Sequence, residues 1–390
     1  MNVSSASSNL ALSAIFSQTI RCKRPSGLKA DSMGLYRFRR SLGQCVCGLR
    51  TVLGVSMRLK GHRLLGRVML GILASVIAIV VVIVVAFNVS PWPGALVFRR
   101  AFESSAVEKP TGYATMRSRT KVVGNLSYPS KFGRNDFDLY LPKQRSQSLP
   151  VIVWVHGGGF IAGDKQGVST YATMLASRGY AVAAMNYDYA PDATYPTPVI
   201  QVGELITHLY EIAGRYGLDA DRIVIGGDSA GAQIAAQFAA IETTPGYSQK
   251  SGIPAISLRK PLEAALLFCG PYDVSRLTSV GNSWIARQFV QTVGWSYLGH
   301  KDWQSTQAAK MASIVDYVSS GFPRAYIVDG NYFSFPTHAR ELYGRLRNDG
   351  VDATLSLYPN KPKLPHEFQF DFSHPESYDV WNKTLKFLGQ

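Results

Sequence analysis

The apolar positions of this chain follow two regimes. From Val68 to Phe87 they form one unbroken run, VMLGILASVIAIVVVIVVAF, 20 residues without a charge and with Ser75 as the only polar side chain. A helix of that length rises about 30 Å, the thickness of a bilayer's hydrocarbon. A core helix of a soluble domain would turn a polar stripe to water, and this run has none. It predicts a transmembrane helix over 68–88. The run exceeds a signal-peptide core and no A-x-A site follows it, which favours an uncleaved signal anchor over a cleaved leader. Arg58, Lys60, Arg63 and Arg67 crowd its N-terminal side, whereas Asn88-Val89-Ser90-Pro91-Trp92-Pro93 opens the other. The positive-inside bias puts the N-terminus in the cytoplasm and everything after Asn88 outside, with Trp92 as an interfacial anchor.

Beyond residue 119 the pattern becomes short apolar runs separated by helical periodicity. Lys121–Val123 and Asp136–Leu141 predict an antiparallel opening pair. Val151–Val155 (VIVWV), Tyr180–Met185, Arg222–Ile225, Ala264–Phe268, Arg324–Val328 and Ala353–Tyr358 predict further strands, several of them apolar throughout, as strands buried on both faces are. Tyr171–Ser177, Ile200–Tyr216, Ala230–Ile241, Thr337–Arg347 and Tyr378–Leu388 predict helices. The alternation implies an α/β fold: a mostly parallel central sheet with helices on both faces, preceded by the one transmembrane helix. The division expected is a leader over 1–67, the anchor over 68–88, a linker over 89–119 and the domain over 120–390. The stretch 271–322 breaks the rhythm and carries Trp284, Phe289, Trp295, Tyr297 and Trp303. It reads as a helical excursion packing its own aromatics, or as a cap whose aromatics wall a pocket.

A net charge of +15 over 390 residues suggests a polyanionic partner until it is located. Residues 1–67 hold 12 Lys/Arg against Asp31 alone, which leaves 29 bases and 25 acids for the rest. The basic character belongs to the leader, and no nucleic-acid partner is expected for the domain. Residues 1–56 read as disordered, or as a polybasic segment on the anionic inner leaflet, and Met57 opens an alternative n-region. Cys22, Cys45 and Cys47 also lie in the leader, so Cys269 cannot form a disulfide within the domain and reads as a core thiol. No Cys/His spacing fits a zinc site, so no metal is expected.

Gly227-Asp228-Ser229-Ala230-Gly231 fits G-x-S-x-G between a strand and a helix, the context in which a sharp turn exposes a nucleophilic serine. His156-Gly157-Gly158-Gly159-Phe160 follows the strand VIVWV, and its glycines allow backbone N–H groups to approach a developing oxyanion. His156 is read as fixing that loop rather than as a base.

With these motifs in this order the chain resembles the α/β-hydrolase fold, and within it the HGGG-type esterases of the hormone-sensitive-lipase and acetyl-esterase group, from about Asp136 onward. Asn186-Tyr187-Asp188-Tyr189-Ala190-Pro191 resembles that group's Y-R-L-A-P element, departing at Asp188 and Tyr189. The resemblance implies Ser229 as nucleophile and Gly158, Gly159 and Ala230 as oxyanion donors. The order Ser, acid, His leaves His338, His366 and His374 as bases. His366 follows the last strand through a loop, whereas His338 and His374 are expected at the surface. The acid departs from the family: Phe333 stands where G-x-x-D-x-L has its Asp. Asp329 is the nearest carboxylate, at the head of a stretch that resembles the D-G-N-x-x-S-F pattern of some relatives; either it orients His366 through a different turn, or it caps the turn and the dyad works with another carboxylate or none.

The expectation is a membrane-anchored serine carboxylesterase that cleaves small or short-acyl esters through an acyl-enzyme without a cofactor. Its partners would be an ester substrate and the bilayer through residues 68–88. A non-catalytic binding protein of the same fold at the envelope, or an amidase or peptidase, are the alternatives.

Overall fold

The computed structural model describes residues 60–102, 107–144, 147–280, 283–360 and 363–390. The expectations for residues 1–56, Cys22, Cys45 and Cys47 lie outside them. The chain divides into two compact units, one ending at Val89 and the other running from Ser90 to Gln390. In the first, helix α1 (Lys60–Val89) contains a 23-residue stretch, Arg67–Val89, with an 18-residue window of mean hydropathy 3.3, long and apolar enough to cross a membrane.

The second unit is built on β1 (Thr120–Ser127), β2 (Asp136–Pro142), β3 (Leu149–Val155), β4 (Ala181–Met185), β5 (Leu218–Asp228), β6 (Ala264–Phe268), β7 (Ala325–Val328) and β8 (Ala353–Ser356). They form one sheet in the order β1-β2-β4-β3-β5-β6-β7-β8. β1 and β2 pair antiparallel, β2 pairs antiparallel with β4, and every later pairing is parallel. This is the mostly parallel sheet that the sequence pattern implies, in the α/β-hydrolase arrangement that the resemblance implies.

The apolar runs are continuous because each strand feeds two cores. In β3, Val151, Val153 and Val155 join one core, while Ile152 and Trp154 point into the other. The first is covered by α5 (Thr197–Tyr216), α6 (Ala230–Thr243) and α10 (Pro336–Asn348), the second by α4 (Ser169–Ala176) and α11 (Pro375–Phe387). The period-2 alternation of the strands thus meets helices on both sides.

Three short helices lie where none is expected: α2 (Trp92–Ala101), α3 (Tyr113–Ser118) and α7 (Tyr247–Ser251). The first two correct the reading of 89–119 as linker. Ala95 and Phe102 are buried, Gly94 packs against Thr292, and Phe98 meets Phe289 edge-on at 5.0 Å. Thr292 and Phe289 belong to α8 (Trp284–Leu298), which with α9 (Gln307–Ala312) makes up the irregular stretch 271–322. Its aromatics divide between the two expected roles: Tyr297 and Trp303 are buried, Trp284 is 68% exposed, and Phe289 faces a cleft.

Candidate active site

The turn from β5 into α6 carries Ser229 at φ 50°, ψ −121°, a conformation that L-residues avoid and that costs about 1–3 kcal/mol. Packing enforces it. Gly231 lies so close to β3 that a Cβ there would fall 2.0 Å from the Val155 carbonyl oxygen. The Ser229 N–H donates to Phe268 O at 2.8 Å. The strained turn presents Oγ at the head of α6, above the carboxyl ends of the parallel strands, where ligands of open α/β sheets bind.

The loop after β8 brings His366 to it. Its Nε2 lies 2.8 Å from Ser229 Oγ. Its Nδ1 meets the Oγ of Ser334 at 2.8 Å, and the Ser334 hydroxyl in turn donates to Asp329 Oδ1, which also accepts the Phe335 N–H. Asp329 therefore does not touch the imidazole; a serine hydroxyl stands between them. A hydroxyl can accept from Nδ1–H while donating to the carboxylate, and this leaves the Nε2 lone pair facing Ser229. Burial pushes the His366 imidazole down to about 3, so it is neutral at physiological pH. Burial pushes the Asp329 carboxyl up to about 7, against hydrogen bonds from Ser334, Phe335 and Gly330.

Phe333, at the family's Asp position, stands at φ 50° and faces the cleft instead. Ser334 is the serine of the D-G-N-x-x-S-F pattern that Asp329–Phe335 resembles, a pattern that marks the residue without showing its contact with the imidazole. Of the other late histidines, His338 is not at the surface: it is buried on the inner stripe of α10 with Ala339, Leu342 and Leu346, and its Nδ1 accepts the Asp273 N–H at 3.3 Å. His374 is half-buried at the start of α11.

The glycine loop lies opposite. Gly158 has φ 123°, and a Cβ there would fall 2.0 Å from the Ala162 carbonyl oxygen, so no other residue fits. Gly159 and Ala230 line the cleft with Ser229 and His366, while Gly158 sits in the turn beneath. Tyr187 stacks on His156 at 4.4 Å and donates to its carbonyl, and Tyr189 donates to Gly163 O. Arg99 of α2 donates to the carbonyls of Ile161 and Ala190 and pairs with Asp192. The Tyr187–Pro191 segment and α2 thereby brace the loop.

The cleft is walled by Phe102, Leu277, Phe289, Val293, Phe333 and Phe335, and Ser229 and His366 are its polar residues. Cys269 Sγ, the Asp329 carboxylate and a His366 ring nitrogen lie within 4.8 Å of one another, all buried. The imidazole and the carboxyl are committed to Ser229 and Ser334, so a cation there would break that chain.

The BD-FAE family matches residues 137–334, just over half of the chain. The chain belongs to the BD-FAE family. This α/β-hydrolase is 38% identical over 125 residues to a probable isoprenylcysteine alpha-carbonyl methylesterase of Oryza sativa, covering 32% of this chain and 30% of that protein. It is 26% identical over 251 residues to the probable carboxylic ester hydrolase LipM of Mycobacterium tuberculosis, covering 63% of this chain and 56% of the relative. The chain thus spans between about a third and about half of these relatives' length. Among solved structures, esterase B of Lactobacillus Rhamnosis shares the fold with a TM-score of 0.60 at 22% identity, covering 76% of this chain and 91% of that one. A bacterial heroin esterase follows at 0.57 and 20%, covering 70% and 86%.

Proposed function

We propose that this BD-FAE family member is a serine carboxylesterase that hydrolyses small or short-acyl esters through an acyl-enzyme. The observation that carries the reading is the contact of His366 Nε2 with Ser229 Oγ at 2.8 Å on a strained strand-to-helix turn. Ser229 attacks the ester carbonyl, His366 takes its proton at Nε2 and returns it to the leaving alcohol, and water clears the acyl group. The imidazolium that forms donates from Nδ1 to Ser334, whose hydroxyl donates to Asp329. The N–H groups of Gly158, Gly159 and Ala230 serve the oxyanion. The aromatic and aliphatic cleft wall supports an uncharged acyl group. Nothing in the geometry favours the binding-protein or peptidase alternatives over this. The chain is further proposed to be anchored through α1 with its N-terminus in the cytoplasm, supported by the hydropathy of Arg67–Val89 and the basic flank before it.

The test is a panel of p-nitrophenyl esters of rising acyl length against the full chain in detergent. Turnover of the acetate and butyrate, falling for long chains, is expected; no turnover of any member would refute the reading.

The pH profile is a second test. Asp329 is ionised above about 7, and only its anion gives the hydrogen-bonded chain a negative end. Turnover is therefore expected to rise through an apparent pKa near 7, with His366 already neutral there, and Asp329→Asn should flatten that rise. An identical limb in the variant would assign it elsewhere.

A further inference from the structure

Behind Ser229 and His366 lie two acids that the reaction above does not use. Asp228 precedes the nucleophile and Glu367 follows the base, and their side chains are buried at 2% and 0% exposure. The two side chains hydrogen-bond to each other. Two carboxylates have no donor between them, so this bond needs one proton. The other partners say where it sits. Asp228 Oδ1 accepts the Trp154 indole N–H at 2.7 Å, and Oδ2 accepts the Gly157 N–H at 2.7 Å. With both oxygens taken by N–H donors, Asp228 is the acceptor and Glu367 carries the O–H. Glu367 is held at φ 61° with its backbone N–H on Cys269 Sγ at 3.4 Å, and its Oε1 lies 3.8 Å from His366 Nε2.

We propose that Asp228 and Glu367 share a single proton and together act as a positioning pair for the catalytic centre. Each partner of the pair leads to a different working part. Trp154 lies in β3, Gly157 opens the glycine loop, Asp228 is bonded to Ser229, and Glu367 is bonded to His366. One buried hydrogen-bond cluster thus fixes oxyanion loop, nucleophile turn and base loop in a common register. The positioning role rests on the esterase reading; the shared proton does not.

Removing the proton would set two anions against each other in a buried site. The titratable groups facing the pair are His366 on the same loop, Cys269 after β6 and Tyr187 after β4. Burial holds the Cys269 thiol and the Tyr187 phenol well above their ordinary ranges, so neither ionises alongside the pair.

The experiment compares Glu367→Ala, Glu367→Gln and wild type as full chains in detergent, with kcat on p-nitrophenyl acetate per fluorophosphonate-titrated site. Glu367→Ala is expected to lose about 10²-fold in kcat, the scale of a misplaced catalytic group. Glu367→Gln, whose amide can still donate to Asp228, should recover most of it. Wild type should lose turnover on the alkaline side as the shared proton leaves, and Glu367→Gln should keep its plateau. Equal loss in both variants, no loss in Glu367→Ala, or the same alkaline limb in wild type and Glu367→Gln would each overturn the proposal. A second readout needs no substrate: a protonated-carboxyl infrared band on the alkaline side of neutrality, present in wild type and lost in Glu367→Gln. If wild type neither labels nor turns over, the esterase reading fails while this band still decides the shared proton; its absence from wild type would overturn it.

Discussion

Ser229→Ala is expected to lower kcat by roughly 10⁴ to 10⁶ and to abolish labelling by a fluorophosphonate, with the fold unchanged. The magnitude follows from what the hydroxyl does. Without Oγ no acyl-enzyme can form, and His366 loses the group whose proton it accepts. What remains is water attack assisted by the oxyanion N–H groups and by binding, which in triad enzymes retains about 10³ to 10⁴ over the uncatalysed rate. The substitution also relieves nothing in the backbone, because alanine must adopt the same φ of 50° that Gly231 and β3 impose. Circular dichroism and melting should therefore match wild type. A wild-type chain that resists the label, on the same preparation that folds normally, would point to a binding protein of this fold. Labelling with hydrolysis of anilides at rates near those of esters would point to an amidase instead.

How far the sequence announced this arrangement depends on the physics behind each part. Strands such as VIVWV are legible because burial on both faces removes every polar position. The turn at Ser229 is legible because steric crowding restricts its neighbours to small residues. Helix α2 is not. WPGALVFRRA has apolar residues on its outer face as well, Leu96 and Val97 being more than half exposed, so it shows no clean stripe. Its tertiary contacts decide its conformation: Gly94 against Thr292 and Phe98 against Phe289 of α8, and Arg99 on the carbonyls of Ile161 and Ala190. His338 misled for the opposite reason: α10 is polar on average, and its buried stripe appears only once β7 and its neighbours lie beneath it. The acid is legible only as the nearest carboxylate, Asp329; its indirect route to the imidazole is not. Asp329 reaches His366 through Ser334, and the D-G-N-x-x-S-F pattern does not show that the serine stands between them until the turn at Phe333 places it. Glu367 is equally silent, because a carboxyl that keeps its proton looks in sequence like any charged surface residue.

Ser334→Ala and Asp329→Asn separate the two things that chain supplies to the base, hydrogen bonding and charge. In Ser334→Ala the Nδ1–H of His366 and the carboxyl of Asp329 both lose a partner inside the protein. Each unsatisfied buried group costs about 1–3 kcal/mol, and the imidazole is no longer tied to the tautomer that leaves Nε2 free. A kcat loss of about 10² or more is expected, with KM little changed because the imidazolium exists only along the reaction path. Asp329→Asn keeps an amide oxygen to accept from Ser334 but removes the negative end, and a change of that kind costs up to about 10⁴ in triad enzymes. Ser334→Thr retains the hydroxyl and should restore turnover, which a merely structural role for Ser334 would not require. Melting curves and kcat per titrated site, taken on the same samples, tell these apart. If Ser334→Ala melts lower yet turns over normally, Asp329 caps the turn and nothing more, and the base works with Nδ1 unsupported.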